Sequence, residues 1–179
     1  AHLEEDPVRR LSILREAVES AAALVRLAPN WANAWYAHGA ALVRYSQHLS
    51  VVKALSQGLG SKVRDSLHRA LQLEPGHAGA HVVLGVYNAE VIDKVGALIG
   101  GMTYGAKKDT SLQLFQEALR IHPGSAIGMI EYANALVMLE GEPKMQQATQ
   151  LYEQAAACEP RDARERLDVE MARVELEAD

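Results

Sequence analysis

Apolar residues recur along most of the chain at intervals of three and four positions, which is the period of an α-helix with one buried face. Asp6 followed by Pro7 is a typical helix start, because a carboxylate accepts hydrogen bonds from the first turn and proline fits the first helical position. No useful length of chain alternates apolar and polar residues with period two, as a half-buried strand would. The pattern predicts an all-α protein with helices over 7–28, 31–48, 60–73, 78–95, 110–121, 126–139, 144–158 and 163–177.

Four of the six prolines end an amphipathic stretch in the same way, since proline has no N–H to donate and clashes with the preceding turn. These prolines are Pro29, Pro75, Pro123 and Pro160. Ten residues after the first three of them stands a small residue beside a larger one. The small residues are Gly39, Gly85 and Ala133. A small residue in mid-helix lets a second helix approach closely, so the sequence predicts a phased series of packed helix pairs.

This phasing resembles the tetratricopeptide repeat, whose pattern spans about 34 residues. Its first half is matched by Trp35-x2-His38-Gly39-x2-Leu42, and its second half by Ser111-x3-Phe115-x2-Ala118-x4-Pro123. The resemblance implies one domain over 7–177, a short right-handed solenoid of antiparallel helix pairs. Its parts would be an N-terminal helix 7–28, repeats 31–75, 78–123 and 126–160, and a capping helix 163–177. The spacing between successive prolines is 46, 48 and 37 residues, so extra residues are expected between the two helices of the first two repeats.

The last predicted helix carries Leu167, Met171 and Val174 on one side and charged residues elsewhere. We expect these three residues to be its buried face, because the end of a solenoid must present a polar surface to water. Helix caps are expected at Ser61, at Thr110 with Gln113, and at Asp162 with Glu165.

In the resembled family the first helix of each pair lines a concave surface. Transferring that phase gives a mostly apolar lining, which suits a peptide or an amphipathic helix. The predicted groove residues are Tyr36, Ala40, Val43, Val82, Val86, Ala89, Ile127, Ile130, Asn134 and Val137. Tyr36 and Ala40 occupy positions where some members use Lys and Asn to hold a chaperone carboxylate, so that activity is not expected. The alternative is that these residues are ordinary core, covered by another part of the chain.

Residues 95–106 carry no charge and include four glycines. Exposing so apolar a segment is costly at about 25 cal/mol per Å², and its glycines disfavour an independent helix. We therefore expect the segment to pack on its own groove, on a second copy of the chain, or on a partner.

Composition restricts the function further. The chain of 179 residues is 49% hydrophobic and 23% charged, as is usual for a folded domain, and its net charge is −5. An acidic balance argues against nucleic acid and against a polybasic membrane anchor. No apolar run is long enough for a transmembrane segment. The compartment stays open: the cytoplasm is favoured, and the periplasm fits if a signal segment was removed.

The candidate chemistry is sparse. His77 and His81 have a spacing compatible with metal binding, but the accompanying glutamate of a metalloprotease is missing, so packing and turn roles are expected. His38 is expected to be a hydrogen-bonded core residue, and Cys158 has no cationic neighbour in sequence that would activate it. We predict no catalytic, metal or cofactor site, and no enzyme.

The leading functional hypothesis is a non-catalytic module that binds a peptide or helix of a protein partner in the apolar groove. Two alternatives remain: a homo-oligomer whose groove is filled by its own 95–106 segment, and an accessory protein that binds an apolar ligand.

Overall fold

The computed structural model describes residues 4–178, and that part of the chain is helical without a strand, which confirms the all-α prediction. Residues 4–178 form ten α-helices, two of them short. They are α1 (Pro7–Leu27), α2 (Ala32–Gln47), α3 (Val51–Ser56), α4 (Leu59–Leu73), α5 (Ala78–Val95), α6 (Ala97–Ile99), α7 (Lys108–Ile121), α8 (Ala126–Glu140), α9 (Met145–Ala156) and α10 (Ala163–Ala178). A π-helical turn (Gly100–Tyr104) follows α6, and a 3₁₀ turn (Glu142–Lys144) precedes α9. None of the described helices has the length and apolar character needed to cross a bilayer.

The prolines end helices as predicted. Helices α1, α4 and α7 each stop two residues before Pro29, Pro75 and Pro123, while α9 stops four residues before Pro160. At all three of the earlier ends the residue after the helix donates its N–H to the carbonyl four residues back, so the last turn closes before the proline. The missing donor of proline therefore falls outside the helical hydrogen-bond ladder.

Two of the expected caps are confirmed. The N–H of Val8 donates to Asp6 Oδ1 at 2.9 Å. At α10, Asp162 Oδ1 accepts from the N–H groups of Arg164 and Glu165, both at 2.9 Å. Both carboxylates satisfy donors that have no partner within the helix.

The other two expected caps are wrong. Helix α7 begins at Lys108, before Thr110, because Asn88 Oδ1 accepts the N–H of Lys107 at 3.2 Å and fixes the chain there. Helix α4 begins at Leu59, before Ser61, because Gly58 turns the chain at φ +62°. Only glycine adopts that backbone conformation readily.

Helix α3 was not predicted. Residues 49–59 were expected to be a connection, yet Val51–Ser56 forms a short helix whose first turn is capped by Ser50 Oγ, which accepts from Lys53 N at 3.3 Å. No side chain of α3 is buried, and its six residues are too few for a helical period to be recognised.

The chain divides between Val83 and Leu84, inside α5, into two compact units. In the first unit α2 packs against α1 and α4, and α3 packs against α4. At the centre of the α2–α4 contact a Cβ added to Gly39 would lie 2.7 Å from Leu67 Cγ. Gly39 is thus required by the close approach of two helices, as the sequence predicted.

In the second unit α8 packs against α7, α9 and α10, and α9 packs against α10. Phe115 of α7 is fully buried, and its ring stacks on Tyr132 of α8 with centroids 5.4 Å apart. The C-terminal part of α5 contacts α7 through Gly85, whose carbonyl accepts from Ser111 Oγ at 2.8 Å.

Candidate partner-binding surfaces

Four of the ten predicted groove residues lie in the first unit. Val43 and Val82 are buried, whereas Tyr36 and Ala40 are half-buried. The Tyr36 ring lies 4.6 Å, centroid to centroid, from the His77 ring. The two valines therefore belong to the core, and Tyr36 and Ala40 are the members that keep access to solvent.

The other six lie in the second unit. Val86, Ala89 and Ile130 are buried; Ile127 and Val137 are half-buried; Asn134 is exposed. The accessible three follow one side of α8, and Asn134 Oδ1 accepts from the hydroxyl of Tyr152 on α9 at 2.7 Å. The apolar residues expected to contact a partner are thus partly core, and the accessible surface is a row on α8.

His77 and His81 have structural roles at the start of α5, as predicted. His77 Nδ1 accepts from the N–H of Ala80 at 3.0 Å, so its Nε2 carries the proton and donates to Asn33 Oδ1 at 2.9 Å. His81 Nδ1 lies 3.1 Å from the carbonyl oxygen of His77 and donates to it. Residues 4–178 contain no group of three or more side chains arranged to hold a metal ion.

His38 is a half-buried, hydrogen-bonded residue. Ser66 Oγ donates to the carbonyl of Lys62 at 2.8 Å, so it accepts from His38 Nδ1, which lies 2.9 Å away. Burial lowers the pKa of His38, and the positive charge of Lys62 lowers it further. The neutral imidazole is therefore the form that the folded first unit favours.

The first unit also contains a basic stretch that the net charge conceals. From Trp31 to Leu73 the chain carries five Lys and Arg residues and one carboxylate. Four of the cations are on α3 and α4, namely Lys53, Lys62, Arg64 and Arg69, and we call the solvent-facing side of these two helices the basic surface. On α4 the rotation of about 100° per residue places Lys62 and Arg69 on the same side as Asp65. Lys53 and Lys62 are exposed, while Arg64 contacts Asp65 at 3.0 Å. A count of charge by segment, rather than for the whole chain, would have found this surface.

The 95–106 segment does not bury its large apolar side chains. Leu98 and Met102 are 76% and 83% exposed, and Ile99 is also exposed. Its backbone is ordered instead by glycines: Gly96 and Gly105 have φ of +81° and +70°, and Ala106 N donates to Gly100 O at 3.1 Å. The expectation that this segment fills a groove of its own chain is therefore not met, because its turn is held by backbone geometry rather than by packing.

Helix α10 is turned the opposite way from the prediction. Val169 and Ala172 are buried at 2% and 0% exposure, while Leu167, Met171 and Val174 are 52%, 42% and 57% exposed. The helix packs on α8 and α9 with its smaller apolar residues. The predicted face was wrong because α10 is apolar on two opposite sides, and the side with Val169, Ala172 and Leu176 is the one that packs.

The start of α10 is held by an ion pair at the surface. Arg161 contacts Glu165 through its backbone N–H, 2.8 Å from Oε2, and through its guanidinium, which also lies 2.9 Å from His122 Nε2. Hydrogen bonds from Arg161 lower the pKa of Glu165 to about 2. Burial raises the pKa of the nearby Cys158 thiol, and the negative charge of Glu165 raises it further. A raised pKa leaves less of the thiolate, which is the reactive form of cysteine.

Comparison with known proteins assigns the chain to a different family from the one that its motifs resemble. No curated protein matches it. The family model of regulator of microtubule dynamics protein 1-3 matches residues 1–177. The tetratricopeptide assignment is therefore wrong: small residues at helix crossings and prolines after helices reflect helix pairing in general, and the proline spacing already departed from that repeat. With nearly its whole length matched, the chain belongs to the family of regulator of microtubule dynamics protein 1-3.

Proposed function

We propose that this chain is a non-catalytic protein-binding module that acts in the regulation of microtubules, and that its basic surface contacts an acidic protein surface. The family description supports the process. The observation that carries the proposal is the concentration of positive charge on α3 and α4 of a chain whose net charge is −5. A protein of acidic composition has no general reason to collect cations on two adjacent helices.

The basic surface combines charge with apolar area. Val52 and Leu55 of α3 are exposed beside Lys53. Single exposed ion pairs contribute only about 0–1 kcal/mol, so the affinity must come from several cations together with burial of these apolar side chains. Charge patches of this kind mainly raise the association rate and make it sensitive to salt.

The test is sedimentation of the full chain with polymerised microtubules at increasing salt. We expect the double variant Lys53→Glu/Arg69→Glu to weaken binding by about tenfold or more, because it reverses two charges on the contact surface. The matched control, Lys107→Glu/Arg166→Glu, makes the same change of charge at exposed positions of the second unit. Equal binding by the two variants would contradict the proposal, as would binding that does not respond to salt.

A second candidate is binding of a peptide or helix at α8. It is favoured by the accessible row Ile127, Asn134 and Val137, which keeps the spacing of one helix face. The variant Asn134→Arg should then abolish capture of a partner that Lys53→Glu/Arg69→Glu still captures. Light scattering over a range of concentrations separates these two proposals from self-association. Only self-association requires the molar mass to rise with protein concentration.

A further inference from the structure

The 95–106 segment presents three large apolar side chains to solvent at one turn of the chain. Leu98, Ile99 and Met102 are 76%, 56% and 83% exposed, and all twelve residues of the segment are uncharged. Neighbouring exposed apolar side chains mark an interaction site, whereas single exposed ones do not. The backbone of the segment, its apolar area and the charges beside it indicate what covers these side chains.

The backbone N–H groups of the segment are hydrogen-bonded within the segment or to the end of α5. Those of Gly96, Gly100, Gly105 and Ala106 donate to carbonyl oxygens of residues 92–101 at 2.8–3.1 Å, and the residues between them form α6 and the π-helical turn. Main-chain groups enter a lipid environment only when they are bonded within the protein, because acyl chains offer no donor or acceptor. These N–H groups meet that requirement without a partner.

The apolar area is too small for a stable dimer. Even an aromatic side chain buries only about 150–250 Å², so Leu98, Ile99 and Met102 together present less than roughly 600 Å². A stable protein–protein interface buries about 800 Å² on each partner. Two copies of this chain that met at the 95–106 segment would not reach that area, so a second copy is not expected to cover it.

Charges of both signs lie on either side of the segment. The exposed ones are Asp93, Lys94, Lys107 and Asp109. Lys94 also contacts Glu90 at 3.1 Å, and Lys108 contacts Glu140 at 3.0 Å. Such mixed and paired charges select neither a basic nor an acidic protein surface, whereas the hydrated headgroups of a bilayer accept both signs beside a buried apolar element.

We propose that the 95–106 segment inserts shallowly into a lipid surface, with Leu98, Ile99 and Met102 among the acyl chains and the flanking charges among the headgroups. Apolar elements of this kind lie about 5–10 Å deep, at the boundary between headgroups and acyl chains. Tyr104, half-buried at the end of the turn, belongs to a residue type that is enriched at this boundary. Because the attraction is apolar, binding depends neither on anionic lipid nor on low salt.

The test is flotation of the full chain with small phosphatidylcholine vesicles in a density gradient. We expect Leu98→Ser/Met102→Ser to weaken binding about tenfold or more, because it removes two of the three inserted side chains. The control, Leu167→Ser/Val174→Ser, removes exposed apolar side chains of α10 and should bind as the wild type does. All four side chains are exposed, so both variants should fold.

Tryptophan fluorescence locates the contact. On addition of vesicles the emission of Met102→Trp should move to shorter wavelength and be quenched by brominated acyl chains, whereas Leu167→Trp should show neither change. The wild-type chain, which contains Trp31 and Trp35, provides the baseline. The affinity should change by less than about twofold when salt is raised or when phosphatidylserine replaces part of the lipid.

The inference would be overturned if the wild-type chain did not float, if both serine variants lost binding equally, or if binding required anionic lipid and low salt. A dimer in sedimentation velocity that Leu98→Ser/Met102→Ser dissociates would also overturn it, and would identify a second copy as the occupant. Lys53→Glu/Arg69→Glu leaves the segment intact and should float as the wild type does. Failure here therefore leaves the microtubule proposal standing, and the reverse also holds.

Discussion

Gly85 of α5 and Phe115 of α7 lie so close that a Cβ added to the glycine would be 2.8 Å from Phe115 Cε2. The phenyl ring has no room to retreat, since it is fully buried and stacked on Tyr132. The carbonyl of Gly85 also accepts a hydrogen bond from the Ser111 hydroxyl. This bond holds the backbone of α5 at Gly85 against α7.

Gly85→Ala should therefore destabilise the protein by about 1–2 kcal/mol. Replacing glycine with alanine stabilises a helix by up to about 1 kcal/mol. Overpacking a core costs about 1–3 kcal/mol, and we expect this cost to be the larger effect because the added Cβ would meet a buried ring. Urea unfolding followed by circular dichroism measures the difference. Gly124→Ala is the control, because a Cβ there meets nothing within 4 Å; a stabilised Gly85→Ala protein would show that the ring can move.

His38 should make the free energy of unfolding depend on pH. We expect that free energy to fall as the pH is lowered below the ordinary pKa of histidine, about 6.5. The pKa of His38 is lower in the folded than in the unfolded chain, so the unfolded state binds the additional proton and gains from acid. The contribution is complete above that pH and is lost as the pH falls through the folded pKa of His38.

The measurement is the free energy of unfolding between pH 5 and 7.5. His38→Gln should flatten its slope, because glutamine can donate to Ser66 Oγ without titrating. Lys62→Gln should flatten it in part, by removing the second cause of the lowered pKa, and the control Lys53→Gln should not. A slope that is the same in wild type and His38→Gln would rule out this histidine as its source.

The orientation of α10 is testable with one substitution at two positions. Val169→Ala should destabilise the protein by about 1–3 kcal/mol, because it opens a cavity against α8 and α9. Val174→Ala should change stability by no more than about 0.5 kcal/mol, as expected of an exposed site. Thermal or urea unfolding of both variants measures the difference. A larger loss of stability in Val174→Ala than in Val169→Ala would mean that the face expected from the sequence is the buried one.

Cys158 should react slowly with iodoacetamide in the folded protein at pH 7.5. Its raised pKa leaves little thiolate, which is the reactive form. Mass spectrometry should show faster modification in urea, where the burial is lost. Glu165→Gln should be modified faster than the control Glu153→Gln, since only the first removes the nearby negative charge. Equal rates in folded and unfolded chains would contradict the raised pKa.

Helix positions could be predicted because they depend on local signals. Pro29, Pro75 and Pro123 define three helix ends to within two residues, and Gly39 and Gly85 lie where helices meet. Start positions were less predictable where a distant residue decides them, as Asn88 does for Lys107. The short helix α3 has six residues, which are too few for a periodic signal to be recognised.

The surfaces were harder to predict than the helices. Helix α10 has three apolar residues on each of two opposite sides, so hydrophobicity alone does not decide which side is buried. The ten groove positions were transferred from a family to which the chain does not belong, and five of the ten are core. The family itself could not be inferred from helix-pair motifs. Small residues at helix crossings and prolines after helices occur in unrelated helical proteins as well.

The uneven distribution of charge has a practical consequence for handling the protein. Residues 1–83 contain nine Lys and Arg against seven Asp and Glu, whereas residues 84–179 contain nine against sixteen. A chromatographer who relied on the sequence pI of about 5.8 would choose an anion exchanger alone. At low ionic strength and neutral pH we expect retention on a cation-exchange resin as well, with Lys53→Glu/Arg69→Glu eluting from it earlier.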